Sequence, residues 1–481
     1  MLFNSIDFAV FLPVVFILYW FIISRNLKMQ NTFLLIASYF FYGWWDWRFL
    51  SLIFFSSLVD YFVGRGLHST LDKRKRLLML LASIVVNLGF LGFFKYFNFF
   101  SQSFADAFTL LGKPFDPFRL SIILPVGISF YTFQTLSYSI DVYRRKLEPT
   151  KDFIAFFAFV SFFPQLVAGP IERASNLLPQ FYSKRVFDYG KAVDGMRQIL
   201  WGLFKKIVIA DNCAVYVNQI FSDYGNYTGS TLLLGAVFFG FQIYGDFSGY
   251  SDIAIGTARL FGFNLMRNFA YPYFSRDIAE FWRRWHISLS TWFRDYVYVP
   301  LGGSRGGTWM KIRNTYIIFL VSGFWHGANW TFLAWGFLNA CFFLPLLLLK
   351  RNRVNTDTVA AGKIFPSFTE SVQVLITFLL TTLAWVFFRS PTITDALKYV
   401  GGIFSKSFIE MPQLVSYKMI LVIFLIGFLL VAEWIQREKQ HALEFSGSGI
   451  PVPVRWVFYF GMITIILWFG GSPEAFIYFQ F

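Results

Sequence analysis

Charge is scarce in this chain. Aspartate, glutamate, lysine and arginine make up 14% of its 481 residues, where a soluble domain carries about 25%. That is too little polar material to cover a water-facing surface, so a soluble globular fold is excluded. Disordered, collagenous and disulfide-scaffold classes fall with it. Cysteine is nearly missing. Cys213 and Cys341 each lie in or beside an apolar run; they cannot build a metal cluster or a disulfide framework and read as packing residues. Histidine is limited to His68, His286, His326 and His441. Several catalytic signatures are absent as well. Gly245-Asp246-Phe247-Ser248-Gly249 has the wrong spacing for a nucleophile elbow, and no P-loop, H-E-x-x-H or dinucleotide fingerprint occurs. Serine-hydrolase, NTPase and zinc-protease chemistry are therefore poorly supported, and no metal is expected.

What is present is apolar and aromatic. Hydrophobic residues reach 56%, aromatics 22%, and phenylalanine alone counts 66. A membrane crossing needs about 20 apolar residues. Candidates are 6–23, 31–46, 49–63, 77–95, 152–168, 195–217, 231–261, 314–349, 371–389, 416–434 and 453–470. The stretch 119–143 carries Pro125, Gly127 and several hydroxyls and predicts a broken or re-entrant element. The expectation is an all-α polytopic membrane protein of about 10–13 membrane elements, one domain over 1–481. The stretch Phe8–Ile23 lacks a basic n-region and is followed by Arg25 and Lys28, which reads as an uncleaved first span.

The formal charge is +15, from 42 basic and 27 acidic residues. The cheapest reading is cytoplasmic loops facing anionic membrane lipid; no polar domain exists to carry the charge onto nucleic acid. The loops Arg25–Lys28 and Asp72–Arg76 are both basic and two spans apart, so both are placed in the cytoplasm. Ser446-Gly447-Ser448-Gly449 reads as a short flexible loop. The least membrane-like interior segment is 263–313, either a large loop or a cavity lining.

Two histidines sit in unusual surroundings. His326 lies in Ser322-Gly323-Phe324-Trp325-His326-Gly327-Ala328-Asn329-Trp330, where an imidazole at membrane depth is costly without a partner. At helical spacing Ser322, Asn329 and Trp330 share its face. Ser322 or Asn329 holding one ring nitrogen would leave the other as a general base. The competing reading is a core histidine, with Gly323 and Gly327 serving helix packing. His286 lies in Phe281-Trp282-Arg283-Arg284-Trp285-His286 and continues to Arg294-Asp295. Read as one helix, it falls on an aromatic stripe with Trp282, Leu289 and Phe293, between two basic faces; an interfacial amphipathic helix also explains this pattern. The loop Pro300–Gly307, with Arg305 among four glycines, suits phosphate contact or simple mobility. Asp246 and Asp252 interrupt an apolar stretch and need cations, for which Arg283, Arg284 or Arg294 are candidates.

Together these segments resemble the membrane-bound O-acyltransferase (MBOAT) family, in its alginate and peptidoglycan O-acetyltransferase-like branch. The carrying segments are Pro125–Gln134, Pro164–Ile171, Asp246–Asp252, Phe281–Tyr296, Pro300–Gly303 and Phe324–Gly327, densest from about 120 to 335, which marks the expected catalytic core. The resemblance implies a ring of tilted helices with re-entrant elements and a central tunnel reaching the histidine of the Trp-His-Gly segment, His326, as the catalytic residue, either as general base or as carrier of an acyl-imidazole. His286 is implied as a second important polar residue beside it. The related teichoic acid D-alanyl transfer proteins share Trp-His and Phe-Arg-Asp.

The implied activity is transfer of an acetyl group from a cytoplasmic thioester towards an extracytoplasmic polysaccharide hydroxyl, alginate-type or another surface glycan. No cofactor is expected to be bound; acetyl-CoA or a similar thioester is the co-substrate, approaching Arg283, Arg284, Arg294 and Arg305. The implied partner is a periplasmic SGNH-type acetyltransferase or similar protein, and the implied location a bacterial inner membrane. Alternatives are D-alanyl, lipid or protein O-acylation by the same logic. A transporter is also permitted by the broken element near Pro125 and the two aspartates.

Overall fold

A computed structural model describes residues 1–113, 115–167, 169–445, 449–471 and 476–477. The loop expected at Ser446–Gly449 lies, apart from Gly449, outside the described residues. Among the described residues the secondary structure is helical throughout, with no strand, as expected of an all-α polytopic membrane protein. Seven helical stretches are long and apolar enough to cross a membrane, and Ile6–Ile22 and Phe153–Leu166 are shorter apolar ones. The first, Leu27–Ser69, has 43 residues, about twice what a 30 Å hydrocarbon core requires. It is interrupted at Asp46, whose side chain caps the Arg48 N–H at 3.0 Å, so it counts as a pair of elements. The expected span 314–349 is likewise two helices, Thr308–His326 and Trp330–Leu348.

Backbone contacts divide the chain into two compact units, 1–192 with 257–266, and 193–256 with 267–481. The first unit is organised by a buried polar knot. Asp60 on Leu50–Ser69 accepts hydrogen bonds from Ser83 Oγ (2.5 Å) and Asn87 Nδ2 (2.7 Å) on Lys73–Leu91, and from Ser139 Oγ (2.5 Å) on Ile128–Tyr143. In an apolar surrounding an unmet carboxyl is expensive, so three helices are held in register by satisfying one. The break expected in 119–143 falls at Gly127. Its φ is +75°, and a Cβ there would stand 2.7 Å from the Leu166 carbonyl; only then does helix begin, at Ile128.

The second unit contains the helical hairpin that carries His326. Gly323 and Gly336 let the two arms touch backbone to backbone: a Cβ on Gly323 would strike the Phe332 carbonyl, and one on Gly336 the Phe319 carbonyl. With no water-driven force between lipid-facing helices, such close approach supplies the dispersion contact that holds them. Gly327 does not share this role. It ends the helix in an extended conformation, and its close approach is to a side chain, since a Cβ there would strike the Phe332 ring.

Candidate active site

The expectation of one helix through Phe281–Asp295 is corrected by the structure. Two short helices, Ile278–Arg284 and Ile287–Phe293, flank a break at Trp285–His286. His286 has φ +45°, a left-handed conformation that non-glycine residues adopt rarely and at a cost. The break is held by Asn268. Its backbone carbonyl accepts from Ile287 N (2.9 Å), and its Oδ1 faces Ser288 N (3.4 Å), Ser288 Oγ (2.9 Å) and His286 Nδ1 (3.0 Å). Asn268 Nδ2 in turn donates to Ser251 Oγ at 3.1 Å.

This network fixes the tautomer of His286. A backbone N–H can only donate, so the atom it meets on Asn268 is the oxygen, and the imidazole Nδ1 must carry the hydrogen. Nε2 is left as a lone pair. It is buried, with no hydrogen-bond partner among the described residues. Burial also pushes the His286 pKa down to about 3, so the ring is neutral at physiological pH.

His326 is the last residue of its helix, and its ring centroid lies 6.4 Å from that of His286. Around it stand Trp325 (5.0 Å), Trp335 (5.2 Å) and Phe388 (5.4 Å). Both histidines are almost sealed, at 3% exposure for His326 and 1% for His286. The structure thus brings together the two imidazoles named from the sequence, inside an aromatic wall where electrostatic interactions are weakly screened.

The remaining candidates fall elsewhere in the local network. Ser322 is buried one turn before His326. Asn329 and Trp330 do not continue the His326 face, because the helix has ended. Asn329 caps the following helix through Thr331 N (3.1 Å) and donates to the Pro391 carbonyl (3.0 Å). Arg283 holds the carbonyls of Asn352 (2.9 Å) and Asn355 (2.5 Å), while Arg284 pairs with Glu280 at 2.8 Å and bonds the Asp357 carbonyl. Both arginines staple the 352–357 segment. Arg294 pairs with its neighbour Asp295 at 2.7 Å, and Arg305 is exposed.

The aspartates have different cations from those expected. Asp252 pairs with Lys205 at 2.5 Å, and Asp246 with Lys206 at 2.7 Å. Lys206 also meets Asp211 at 2.7 Å. The two lysines sit on a wide turn of helix, Phe204–Ala210, that presents both inward. Asn268 was missed entirely. Its only signal was a carboxamide in the polar segment 263–313, eighteen residues before a histidine.

Comparison with known proteins identifies the family. The model of MBOAT, the membrane-bound O-acyltransferase family, matches residues 78–388, which include Asn268, His286 and His326. A probable alginate O-acetylase AlgI of Pseudomonas syringae is 41% identical over 408 residues, covering 84% of this chain and 75% of the relative. The peptidoglycan O-acetyltransferase of Helicobacter pylori is 36% identical over 431 residues, 84% of this chain and 79% of the relative. A teichoic acid D-alanyltransferase of Streptococcus thermophilus is 32% identical over 289 residues, 56% of this chain and 69% of the relative. With the family model spanning most of the chain and the two histidines joined in one buried site, this multi-pass membrane protein belongs to the membrane-bound O-acyltransferase family and is an O-acyltransferase.

Proposed function

We propose that the protein moves an acetyl group from a cytoplasmic thioester, acetyl-CoA or a similar donor, to a hydroxyl of an extracytoplasmic polysaccharide, and that it does so in a bacterial inner membrane. The observation that carries this reading is the pair of buried imidazoles 6.4 Å apart, one of them with its proton position fixed. An attacking hydroxyl gives its proton to His326, and its oxygen bonds to the thioester carbon. The C–S bond then breaks, and the thiolate leaves with that proton. His286, neutral and with a lone pair on Nε2, accepts a hydrogen bond from the incoming hydroxyl and orients it. A positioned base contributes about 10²–10⁴ in rate; the remainder comes from holding donor and acceptor together away from water. Because the rings around His326 leave it so little exposed, entry of either substrate requires side chains such as Trp325 or Phe388 to move.

Acetyl rather than D-alanyl is favoured because the acetylase relatives align over 84% of this chain and the D-alanyltransferase over 56%. In this reading the attacking hydroxyl belongs to a periplasmic partner of SGNH type, which takes the acetyl group as an ester on the outer face and passes it to the glycan hydroxyl. The test is acetylation of surface glycan, read by mass spectrometry in cells carrying the wild type or His326→Ala at equal expression. Loss of glycan acetyl in the variant is expected. Undiminished acetylation would overturn the reading, and loss of D-alanyl esters instead would transfer it to the D-alanyl branch.

A further inference from the structure

Arg185 is a buried cation with no carboxylate against it among the described residues. It is 7% exposed. Its guanidinium donates to the Gln180 carbonyl (3.1 Å) and to Asn31 Oδ1 (2.6 Å), and lies over the Phe263 ring at 4.8 Å from the centroid. All these partners are neutral, and a charge withdrawn from water without a counter-charge is destabilising. The same side chain lines a cavity of about 760 Å³ in the first unit, with Lys184, Lys191, Arg259, Asp188 and Trp20 also on its wall. That volume is in the range of small-molecule sites, about 300–1,000 Å³. Four cations and one carboxylate face it. One carboxylate against four cations leaves the wall with three positive charges in excess, and Asp188 Oδ1 is itself held by the Lys191 backbone N–H at 3.0 Å.

The surroundings locate this cavity at a membrane edge. Trp20 lies in the last turn of the first apolar stretch, donates its indole N–H to the Leu260 carbonyl at 2.9 Å, and precedes Arg25 and Lys28. Beside the cations, Tyr182, Val186, Phe187 and Tyr189 stand exposed, Val186 by 75%. Exposed aromatic and aliphatic side chains interleaved with lysine and arginine are what the headgroup region of a bilayer selects.

We propose that this cavity is a binding site for a phosphate-bearing anion and that its occupant is the headgroup of an anionic glycerophospholipid. Arg185 contacts the phosphate from the floor, and Lys184 and Lys191 from the rim. The glycerol and first acyl carbons lie along Trp20 and Phe187. The proposal is independent of the acyl-transfer reading, since none of these residues belongs to the histidine site.

The test is lipid retention by the full-length protein, followed by native mass spectrometry while phosphatidylglycerol or phosphatidylcholine is added to the detergent-solubilised wild type, to Lys184→Glu/Lys191→Glu and to Arg185→Gln. Preferential retention of phosphatidylglycerol by the wild type is expected. The double variant should weaken it at least about tenfold, because each lysine near an anionic surface is worth roughly fivefold in binding. Lys184 and Lys191 are exposed, so their reversal tests the site even where Arg185→Gln lowers the yield of folded protein. Equal retention of the two lipids, or equal phosphatidylglycerol retention by wild type and double variant, would overturn the site. In a second arm, coenzyme A and inorganic phosphate are added as competitors. Binding of either in preference to phosphatidylglycerol, lost in the double variant, would keep the phosphate site and overturn the lipid as its occupant.

Discussion

Two clusters of buried polar groups in residues 193–256 and 267–481 are built on opposite rules. Around Lys205 and Lys206 the cations are met: each lysine holds an aspartate at 2.5–2.7 Å, and Asp246 also accepts the Ile477 N–H. Around His286 the opposite holds. Its backbone sits in a disfavoured conformation and its Nε2 is left unmet. A buried group that is fully satisfied holds structure; one kept short of a partner, at a cost, is available to a substrate. Under the proposed function, the lysine cluster serves folding and the histidine pair serves chemistry.

That separation can be broken experimentally. The largest effect is expected from His326→Ala, which should lower acetyl transfer by about 10²–10⁴-fold while the melting temperature stays near wild type, measured on the purified protein. Lys206→Met should do the reverse. Removing one member of a buried ion pair costs about 3–5 kcal/mol, seen as a large drop in thermal stability. Adding Asp246→Asn should return part of it, and activity per folded molecule should stay close to wild type. A drop in specific activity as deep as that of His326→Ala would place the lysine cluster in the chemistry.

Asn268 sharpens the comparison further. Asn268→Ala strips the His286 proton of its acceptor, and losing a partner of a buried group costs about 1–3 kcal/mol, or roughly 10–100-fold in kcat. Asn268→Asp instead sets a carboxylate against Nδ1 and favours the imidazolium. The acid limb of the pH–rate profile should then move towards neutrality. A merely structural asparagine would leave that limb in place. The smallest effect concerns pH and stability. His286 is held near pKa 3 in the folded chain, below its ordinary value of about 6.5. On acidification the unfolded chain takes up a proton that the folded one refuses. The stability is whole above about pH 6.5 and is lost as pH falls towards 3, by about 2 kcal/mol between pH 7 and 5. His286→Asn should flatten that slope in melting curves.

The sequence marks both histidines because charge and imidazole are rare and conspicuous in apolar surroundings. It also places the break before Ile128, since Pro125 and Gly127 punctuate the chain visibly. The break at Trp285–His286 has no such sign: neither residue is glycine or proline, and the conformation is imposed by Asn268 from outside the segment. For Asp246 and Asp252 the sequence offers the nearby arginines as partners, because those lie in a conspicuously basic segment. Lys205 and Lys206 read instead as a short basic patch in an apolar run. Only the widened helical turn at Phe204–Ala210 points both of them inward, and side-chain periodicity at the usual 3.6 residues does not foresee it.

The positive φ at position 286 has a practical bearing on how its role is dissected. Histidine already carries the steric cost of that conformation, about 1–2 kcal/mol for a residue with a Cβ, so alanine keeps the cost and removes only the ring. Glycine removes ring and cost together. The difference between the two variants therefore reads the main-chain strain apart from the side chain.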